Sequence, residues 1–450
     1  MIFDPTIFKA YDIRGIYPDN ITPELAYKIG HAYARFIKPK GEVVVGNDVR
    51  LHSEELKMKV AEGLMDSGVD VVDIGLISTD MYYFAVGRYG LAGGIQSSAS
   101  HNPPEFHGFK MIRENVIPLT LEEGISQIRD LVKENSFVKS EVRGKFRTLD
   151  INNDYIDYIL SWLKIKKEKP LKIVINPNFG YAGVMFRKIV ERGKLPIEIV
   201  GLNDKPDGTF PKGRPDPFIP ENRIEVTKLV VSEKADLGIA WDADADRVFF
   251  VDEDGTFLEP YYLNTVLIKQ MLKKFPGEKI VYDPRYTWAL IEAIKINGGT
   301  PVISRVGHSY IKEKLRETNA LYGTESSGHS YFRDFWYADN GMIPVMQVLE
   351  YLVENDVKLS DAVRPVMNKY FISGEINTEV SDKKAKMEEI VKKYSDATIS
   401  RLDGVAIEYE DYRFVVRPSN TESLLRLTLE ARSKELMEQK RDEVLAIIRS

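Results

Sequence analysis

A short loop in the first quarter of the chain places a serine beside groups that could activate it. Ser98-Ala99-Ser100-His101-Asn102-Pro103-Pro104 follows the apolar run Leu91-Ala92-Gly93-Gly94-Ile95. Each proline lacks an N–H and fixes φ, so neither a helix nor a strand continues through this segment. A Ser100 hydroxyl exposed beside an imidazole could carry a phosphoryl or acyl group. Such residues also form plain polar turns, so the loop alone leaves both interpretations open.

A second loop carries three carboxylates separated by single alanines: Asp242, Asp244 and Asp246. A hard polyvalent cation would relieve their mutual repulsion, and we expect Mg²⁺. An EF-hand is the competing interpretation, because Glu253 falls at the twelfth ligand position of such a loop. It fails because Arg247 stands where a calcium loop requires glycine and the strand-like Val248-Phe249-Phe250-Val251 follows.

Two further loops carry polar groups, one suited to hydroxyl groups such as those of a sugar and the other to an anion. Gly323 to His329 brings Glu325, Ser327 and His329 together, which suits hydrogen bonds to vicinal hydroxyls and proton exchange near neutral pH. The segment Arg417-Pro418-Ser419-Asn420-Thr421-Glu422-Ser423 offers a bidentate guanidinium, hydroxyls and backbone N–H groups between two predicted strands. It has no Walker pattern, so a phosphate other than that of a nucleotide is the best-fitting anion.

Composition restricts the class of protein. The 450 residues suggest roughly three domains of about 150 residues each. The formal charge is -6, so we expect no nucleic-acid or membrane partner. The absence of cysteine excludes disulfides and thiolate metal sites and fits the cytoplasm. With no signal-peptide pattern and no apolar run of about 20 residues, we expect a soluble protein.

The elements that must position these loops repeat three times. A buried strand, a helix and a second strand are predicted over Val43–Gly46, Glu54–Asp66 and Val69–Gly75, over Ile173–Ile175, Ala182–Glu191 and Ile197–Gly201, and over Ile280–Tyr282, Trp288–Ile296 and Val302–Gly307. Each repeat then reaches a further strand that leads into one of the first three loops. Short buried strands joined through helices indicate α/β units with a parallel component.

The predicted fold class is therefore α/β, with three similar mixed-sheet α/β domains and a smaller C-terminal α+β domain around a central cleft. We expect these domains at residues 1–150, 151–255, 256–369 and 370–450. In the last of them, a charged helix over Ser381–Lys393 precedes strands near 405–429 and an amphipathic helix over Lys434–Ile448.

Taken together, the motifs resemble the α-D-phosphohexomutase superfamily, in its phosphomannomutase/phosphoglucomutase and phosphoglucosamine mutase branches. The resemblance extends over nearly the whole chain. It rests on Tyr11-Asp12-Ile13-Arg14-Gly15, the serine loop, the aspartate loop with Arg247, Gly307-His308, Glu325 to His329, and Arg417 to Glu422.

This resemblance implies that Ser100 is a phosphoserine whose phosphate is bridged by Mg²⁺ to Asp242, Asp244 and Asp246. It also implies that Arg14, His101 and Lys110 surround the phosphoryl group, and that Arg247, Gly307 and His308 line the substrate cleft. Sugar hydroxyls would bind Glu325 and Ser327, with His329 as a candidate acid/base. The distal phosphate would bind Arg417, Ser419, Asn420 and Thr421.

The expected activity is reversible conversion of hexose 1-phosphate to hexose 6-phosphate through a hexose 1,6-bisphosphate, which also serves as activator. Ser326 matches neither of the usual Met or Gln signatures of the sugar loop, so mannose, glucose and glucosamine phosphates stay open. Phosphoglucosamine mutase is thus the first alternative. A metal-dependent phosphatase and a non-catalytic sugar-phosphate-binding protein are alternatives from other classes. The oligomeric state is not determined by the sequence, and a homo-oligomer stays open.

Overall fold

The computed structural model of the chain describes residues 3–165, 169–419 and 424–450. Its first sheet contains β1 (Ile13–Ile16), β2 (Val43–Asn47), β3 (Val71–Leu76), β4 (Gly93–Ser97), β5 (Phe106–Arg113), β6 (Ile117–Pro118) and β7 (Phe146–Thr148). The accompanying helices are α1 (Pro23–Ile37), α2 (Ser53–Asp66), α3 (Thr79–Tyr89) and α4 (Ile125–Glu134). Strand β2 pairs in parallel with β3 and β4, whereas β5 pairs antiparallel with β4 and β1.

The second sheet repeats this plan. Its strands are β8 (Leu171–Asn176), β9 (Ile197–Gly201), β10 (Leu237–Trp241), β11 (Val248–Asp252) and β12 (Phe257–Leu258), with helices α5 (Asn152–Leu160), α6 (Ala182–Arg192) and α7 (Pro220–Glu233). Strand β8 pairs in parallel with β9 and β10, and β10 pairs antiparallel with β11.

The third repeat begins with α8 (Pro260–Lys274), β13 (Lys279–Tyr282), α9 (Trp288–Ile296), β14 (Thr300–Ile303), α10 (His308–Thr318) and β15 (Tyr322–Thr324). Strand β13 pairs in parallel with β14 and β15. After it come β16 (Ser330–Phe332), β17 (Ala338–Asp339), α11 (Ile343–Asn355) and α12 (Leu359–Met367), with β16 and β17 paired antiparallel.

The C-terminal sheet is antiparallel in all the pairings seen in the described residues. It contains β18 (Phe371–Ile372), β19 (Ile376–Glu379), β20 (Thr398–Ser400), β21 (Val405–Glu408), β22 (Tyr412–Pro418) and β23 (Leu424–Ala431). Helices α13 (Lys383–Lys393) and α14 (Lys434–Arg449) contact it and enclose its core. The predicted α/β class, with mixed sheets and a smaller terminal α+β domain, is confirmed.

Burial explains why the central strands are continuously apolar. Val43, Val44 and Val45 of β2 are fully buried, and both α2 and α3 contact this strand. A parallel strand covered by helices has no solvent face, so its residues do not alternate between polar and apolar. The same physical constraint makes such strands easy to recognise in a sequence.

One predicted strand is wrong in length. The strand expected over Val302–Gly307 ends at Ile303, and α10 begins at His308. Gly307 precedes this helix with a φ of 126°, a left-handed value that favours glycine and that a strand residue does not adopt. The apolar Val306 therefore belongs to a turn and not to the sheet.

The chain forms two compact units. The first unit contains residues up to 257 together with 329–356, and the second contains 258–328 together with 357–450. No helix in the described part of the chain is both long and apolar enough to cross a bilayer. In the three repeats, β4, β10 and β15 each pair in parallel with the first strand of their repeat, and the serine, aspartate and sugar loops follow directly after them.

Candidate active site

The serine loop connects β4 to β5 and holds Ser100 in an unusual conformation. Ser100 has a φ of 50°, a left-handed value that costs a non-glycine residue on the order of 1 to 3 kcal/mol. Its backbone N–H donates to Ser98 Oγ at 3.0 Å, which helps to fix this conformation. The expectation that the Ser100 hydroxyl is exposed is wrong, because the residue is only 1% exposed. The aspartate loop and the surrounding basic side chains cover it.

Ser100 Oγ lies between an imidazole and a carboxylate. The distance to His101 Nδ1 is 3.0 Å, and the distance to Asp242 Oδ2 is 3.3 Å. His101 Nδ1 also lies 2.7 Å from Arg247 Nη2. Burial, with the nearby Arg247 and Arg14 charges, holds the pKa of His101 well below its ordinary value. The ring is therefore neutral, and because a guanidinium can only donate, the contact with Arg247 favours the tautomer in which Nδ1 is an acceptor.

Arg14 contacts the same loop from β1. Its Nη1 donates to Asn102 Oδ1 at 2.5 Å and reaches the carbonyl oxygen of Ala99 at 3.5 Å. Its Nε forms an ion pair with Asp12 at 2.7 Å. Two arginines, Arg14 and Arg247, therefore lie within the first unit close to the candidate nucleophile, which suits a site for a dianionic phosphoryl group.

The aspartate loop follows β10 and gathers its three carboxylates. Asp242, Asp244 and Asp246 are buried, and one oxygen of each lies within 4.8 Å of the others. Asp244 Oδ1 has no hydrogen-bond partner among the described residues, and Asp246 Oδ1 faces the basic His329 Nε2, at 3.5 Å. Buried oxygens without partners are rare, and a cation would satisfy them. The donor set of three carboxylates therefore fits a hard divalent ion such as Mg²⁺.

The charges around this loop are strongly coupled. Burial, together with the negative charges of Asp246 and Asp244, raises the pKa of Asp242 well above its ordinary value. Burial alone would also raise the pKa of Asp246, but Lys110, His329 and Arg247 hold it well below that value. A divalent cation would favour the charged form of all three carboxylates.

Lys110 and His329 both reach the aspartate loop. Lys110 Nζ, from β5, lies 2.7 Å from Asp244 Oδ2 and 2.6 Å from Asp246 Oδ2. His329 Nε2 lies 3.5 Å from Asp246 Oδ1 and 3.4 Å from Arg247 Nε. The first unit thus brings together the residues that the sequence predicted around the phosphoryl group, namely Ser100, the three aspartates, Arg14, His101, Lys110, Arg247 and His329.

Several supporting residues were not among the site residues predicted from the sequence. Thr79 Oγ1 and Ser98 Oγ donate to Asp244 Oδ2 at 2.8 Å and 3.1 Å. Arg50 donates to carbonyl groups of the serine loop. Arg50 follows the carboxyl end of β2, where polar residues of α/β sheets commonly form sites, and that position could have identified it. Thr79 begins a helix and gives no comparable signal.

The sugar loop lies in the second unit. Glu325 is buried, and its Oε1 lies 3.2 Å from Arg285 Nη2. Asp283 also pairs with Arg285, at 2.9 Å, and accepts the backbone N–H of Ser326 at 2.7 Å. Ser327 lies in this loop between Ser326 and Gly328. The Gly328 N–H donates to the carbonyl oxygen of Glu325. Gly307 and His308 lie at the start of α10 in the same unit.

The phosphate loop begins at the end of β22. Arg417 lies between two carboxylates, with Nη1 3.3 Å from Asp403 Oδ2 and Nη2 3.3 Å from Glu375 Oε2. The Ser419 N–H donates to Leu424 O at 2.8 Å, and its carbonyl accepts from Lys383 Nζ at 2.9 Å. Asn420 and Thr421 lie outside the described residues.

Comparison with known families matches each of the four sheets to a domain of one family. The models of phosphoglucomutase/phosphomannomutase α/β/α domains I, II and III match residues 5–139, 153–255 and 259–370, and that of the C-terminal domain matches residues 375–447. The chain belongs to the phosphoglucomutase/phosphomannomutase family. It is an enzyme of that family's intramolecular phosphotransferase type, an isomerase.

Relatives in this family match the chain from end to end. A phosphomannomutase of Vibrio cholerae is 41% identical over 455 residues, covering 99% of this chain and 98% of that protein. A protein of Xanthomonas campestris named "phosphohexose mutases" is 41% identical over 445 residues, covering 98% of this chain and 99% of its own. The crystal structure of a phosphoglucomutase/phosphomannomutase family protein from Burkholderia thailandensis has a TM-score of 0.89 at 30% identity, covering 99% and 97% of the two chains.

Proposed function

We propose that the enzyme interconverts mannose 1-phosphate and mannose 6-phosphate, and the corresponding glucose phosphates, through phosphorylated Ser100 and a hexose 1,6-bisphosphate. The observation that carries this proposal is the position of Ser100 Oγ, 3.0 Å from His101 Nδ1 and 3.3 Å from Asp242 Oδ2. The names of the full-length relatives support mannose and the broader hexose range.

In the first half-reaction, the free hydroxyl of the hexose phosphate attacks the phosphorus atom carried by Ser100. A P–O bond to the sugar forms while the bond to Ser100 Oγ breaks, and the hydroxyl proton passes to His329. In the second half-reaction, Ser100 Oγ attacks the other phosphate of the bisphosphate, and the departing sugar oxygen recovers a proton from His329. His101 Nδ1 exchanges the serine proton in both directions.

Charge stabilisation provides most of the catalysis in phosphoryl transfer. Arg14 and Arg247 supply fixed positive charges near Ser100. Mg²⁺ held by Asp242, Asp244 and Asp246 would neutralise charge on the transferring group and bind the Ser100 phosphate. Lys110 keeps Asp244 and Asp246 in place through its two ion pairs.

Substrate recognition is assigned to the second unit. We propose that Glu325, oriented by Arg285, and Ser327 bind sugar hydroxyls, with Gly307 and His308 beside them. Arg417 and Ser419, with Asn420 and Thr421, would bind the phosphate that is not being transferred. The planar guanidinium of Arg417 can form two parallel hydrogen bonds to phosphate after its ion pairs with Asp403 and Glu375 break.

Intact-mass spectrometry and kinetics test the phosphoserine. The wild-type enzyme should carry one added phosphate after incubation with hexose 1,6-bisphosphate, and Ser100→Ala should carry none and be inactive. Ser97→Ala is the matched control, because Ser97 is equally buried and its Oγ has no hydrogen-bond partner among the described residues. Full activity of Ser100→Ala would refute the proposal.

The sugar is tested with mannose, glucose and glucosamine 1-phosphates at equal concentrations of the matching bisphosphate. We expect turnover of the first two and little of the third. Faster turnover of glucosamine 1-phosphate would instead show that the enzyme is a phosphoglucosamine mutase. Stoichiometric release of inorganic phosphate would indicate a phosphatase.

A further inference from the structure

Arg50 is bound to the serine loop by every terminal N–H of its guanidinium. Nη1 donates to the carbonyl oxygens of Pro103 at 2.7 Å and Phe106 at 2.9 Å. Nη2 donates to those of Ser100 and Asn102, both at 2.7 Å. A single side chain, reaching from the end of β2, therefore fixes four carbonyl groups of a loop about 50 residues further along the chain.

The surroundings of Arg50 hold the guanidinium in one orientation. Its side chain is fully buried, and Nε lies 3.3 Å from Asp48 Oδ2. Asp48 itself accepts hydrogen bonds from Ser53 Oγ and from the Arg50 backbone N–H. Phe210 packs on the guanidinium with 4.9 Å between Arg50 Cζ and the ring centroid. The orientation of the guanidinium plane is thus fixed by Asp48 at its Nε edge and by the Phe210 ring on one face.

The segment that carries Phe210 is held closely against Arg50. Gly208 forms a bridge with Arg50, and a Cβ at Gly208 would come 2.2 Å from the carbonyl oxygen of Val49. Only glycine permits this approach. Further along, Arg214 Nε donates to the carbonyl oxygen of His101 at 3.1 Å, so this segment of the second repeat contacts the serine loop directly.

The bond to the Ser100 carbonyl is the one that bears on reactivity. Ser100 has a left-handed φ, which a non-glycine residue leaves readily unless its surroundings prevent it. Fixing the peptide that follows Ser100 restrains its ψ angle and hence the direction of the side chain. Loss of this restraint would let Ser100 Oγ move away from His101 Nδ1 and Asp242.

We propose that Arg50 is a positioning residue for phosphoryl transfer, which keeps the Ser100 side chain aimed at the aspartate loop by fixing four loop carbonyls. This inference rests on the proposed function, in which Ser100 carries the phosphoryl group. A lysine would keep the charge but could not span four acceptors, because its three N–H groups share one nitrogen.

The test compares Arg50→Lys with Val44→Ala, which removes side-chain volume from the fully buried core of β2, the strand that Arg50 follows, and leaves the contacts of Arg50 with the loop in place. The measurements are the rate of Ser100 phosphorylation by hexose 1,6-bisphosphate, kcat, KM, and amide hydrogen exchange over residues 98–106. For Arg50→Lys we expect phosphorylation and kcat to fall about 100-fold, as for a nucleophile displaced by about an ångström, with little change in KM. Exchange over residues 98–106 should be faster than in wild type.

Val44→Ala should lower the thermal midpoint while leaving the phosphorylation rate and the exchange of residues 98–106 at wild-type values. Equal losses of rate in the two variants would overturn the proposal, and so would unchanged exchange in Arg50→Lys. If Arg50→Lys does not fold, Phe210→Leu replaces it, with the same expected direction and the same contradicting result. A wild-type enzyme that is never phosphorylated would refute the proposed function, whereas the exchange measurement would still report on the Arg50 restraint.

Discussion

Lys110 places a positive charge between two carboxylates that would otherwise repel each other. Burial alone would lower the pKa of its amine, but the charges of Asp244 and Asp246 raise it above its ordinary value, so Lys110 stays protonated. A fixed ammonium group therefore neutralises part of the charge of the aspartate loop, and the proposed metal would neutralise more of it. Removing it should leave buried charge without compensation.

The variant Lys110→Met tests whether Lys110 stabilises the folded protein by compensating the charges of Asp244 and Asp246. In a chelating buffer, we expect the free energy of unfolding to fall by about 3 to 5 kcal/mol. Added Mg²⁺ should restore part of the loss, because an ion that binds only the folded state stabilises it. Lys57→Met is the matched control, since Lys57 is buried and paired with Asp73 at 2.9 Å, away from the aspartate loop. A loss in Lys57→Met that Mg²⁺ restores equally would contradict the prediction.

Asp80 is a second buried carboxylate with a measurable consequence. Burial raises its pKa from 3.8 to about 7, although Ser78 and Tyr155 donate hydrogen bonds to it. Between pH 3.8 and about pH 7, Asp80 is deprotonated in the unfolded chain but protonated in the native protein. The free energy of unfolding therefore falls as the pH rises through this range. The accumulated loss is on the order of 4 kcal/mol by the upper end of this window.

Asp80→Asn should remove this pH dependence while retaining an acceptor for Ser78 and Tyr155. Urea unfolding at several pH values between 4 and 7 should show a downward slope in wild type that is shallower in the variant. Parallel slopes for the two proteins would show that Asp80 is ionised in the native state.

At the scale of elements, the backbone of the aspartate loop is enclosed by two glycines. A Cβ at Gly180, after β8, would come 2.2 Å from Ala243 O, and one at Gly341, after β17, would come 2.3 Å from Ala245 O. Trp241 Nε1 also donates to Gly341 O at 3.0 Å. Neighbouring turns therefore pack closely against the carbonyl groups of the alanines that separate the three aspartates.

Gly180→Ala should displace the loop and weaken metal binding. We expect the Mg²⁺ concentration for half-maximal activity to rise roughly tenfold, with a smaller Mg²⁺-induced increase in the thermal midpoint. Gly41→Ala is the control, because its Cβ would lie 3.7 Å from Ala92 Cβ, an ordinary contact. An unchanged Mg²⁺ requirement in Gly180→Ala would show that the loop tolerates the shift.

The elements were largely predictable from the sequence, whereas their supporting contacts were not. Trp288–Ile296 and Ile197–Gly201 form the helix and strand expected, since apolar runs bounded by glycines indicate them directly. Thr79 contacts Asp244, which lies 165 positions further along the chain, and Arg50 contacts Ser100, 50 positions further along. No local sequence pattern predicts contacts between residues so far apart. Burial of Ser100 was likewise missed, because it depends on the loop that covers it.

At the scale of the whole molecule, the proposed reaction requires one sugar to be bound in two orientations. After the first transfer the bisphosphate must present its other phosphate to Ser100, so the distal site must accept either phosphate. A guanidinium that recognises phosphate alone meets this requirement. Asp403 and Glu375, on either side of Arg417, hold its fork in position, and in the proposed function phosphate would replace them.

Arg417→Lys keeps the charge and loses the fork. We expect transition-state stabilisation to fall by about one to two kcal/mol in each direction, from the 1-phosphate and from the 6-phosphate. Escape of the bisphosphate should increase, so the variant should depend more on added hexose 1,6-bisphosphate. Steady-state kinetics in both directions, with and without the bisphosphate, measure this. A defect in one direction only would indicate two separate phosphate sites.

The left-handed conformation of Ser100 also determines how an inert form of the enzyme should be made. Alanine at this position keeps the steric strain of a Cβ at a φ of 50°, whereas glycine adopts that conformation freely but gains entropy in the denatured chain. The first effect is the larger, so Ser100→Gly should be more stable than Ser100→Ala by about 1 kcal/mol. Thermal denaturation of the two variants measures the difference, and a less stable glycine variant would contradict it. A relaxed, non-reacting loop would make Ser100→Gly the better reagent for equilibrium binding of sugar bisphosphates.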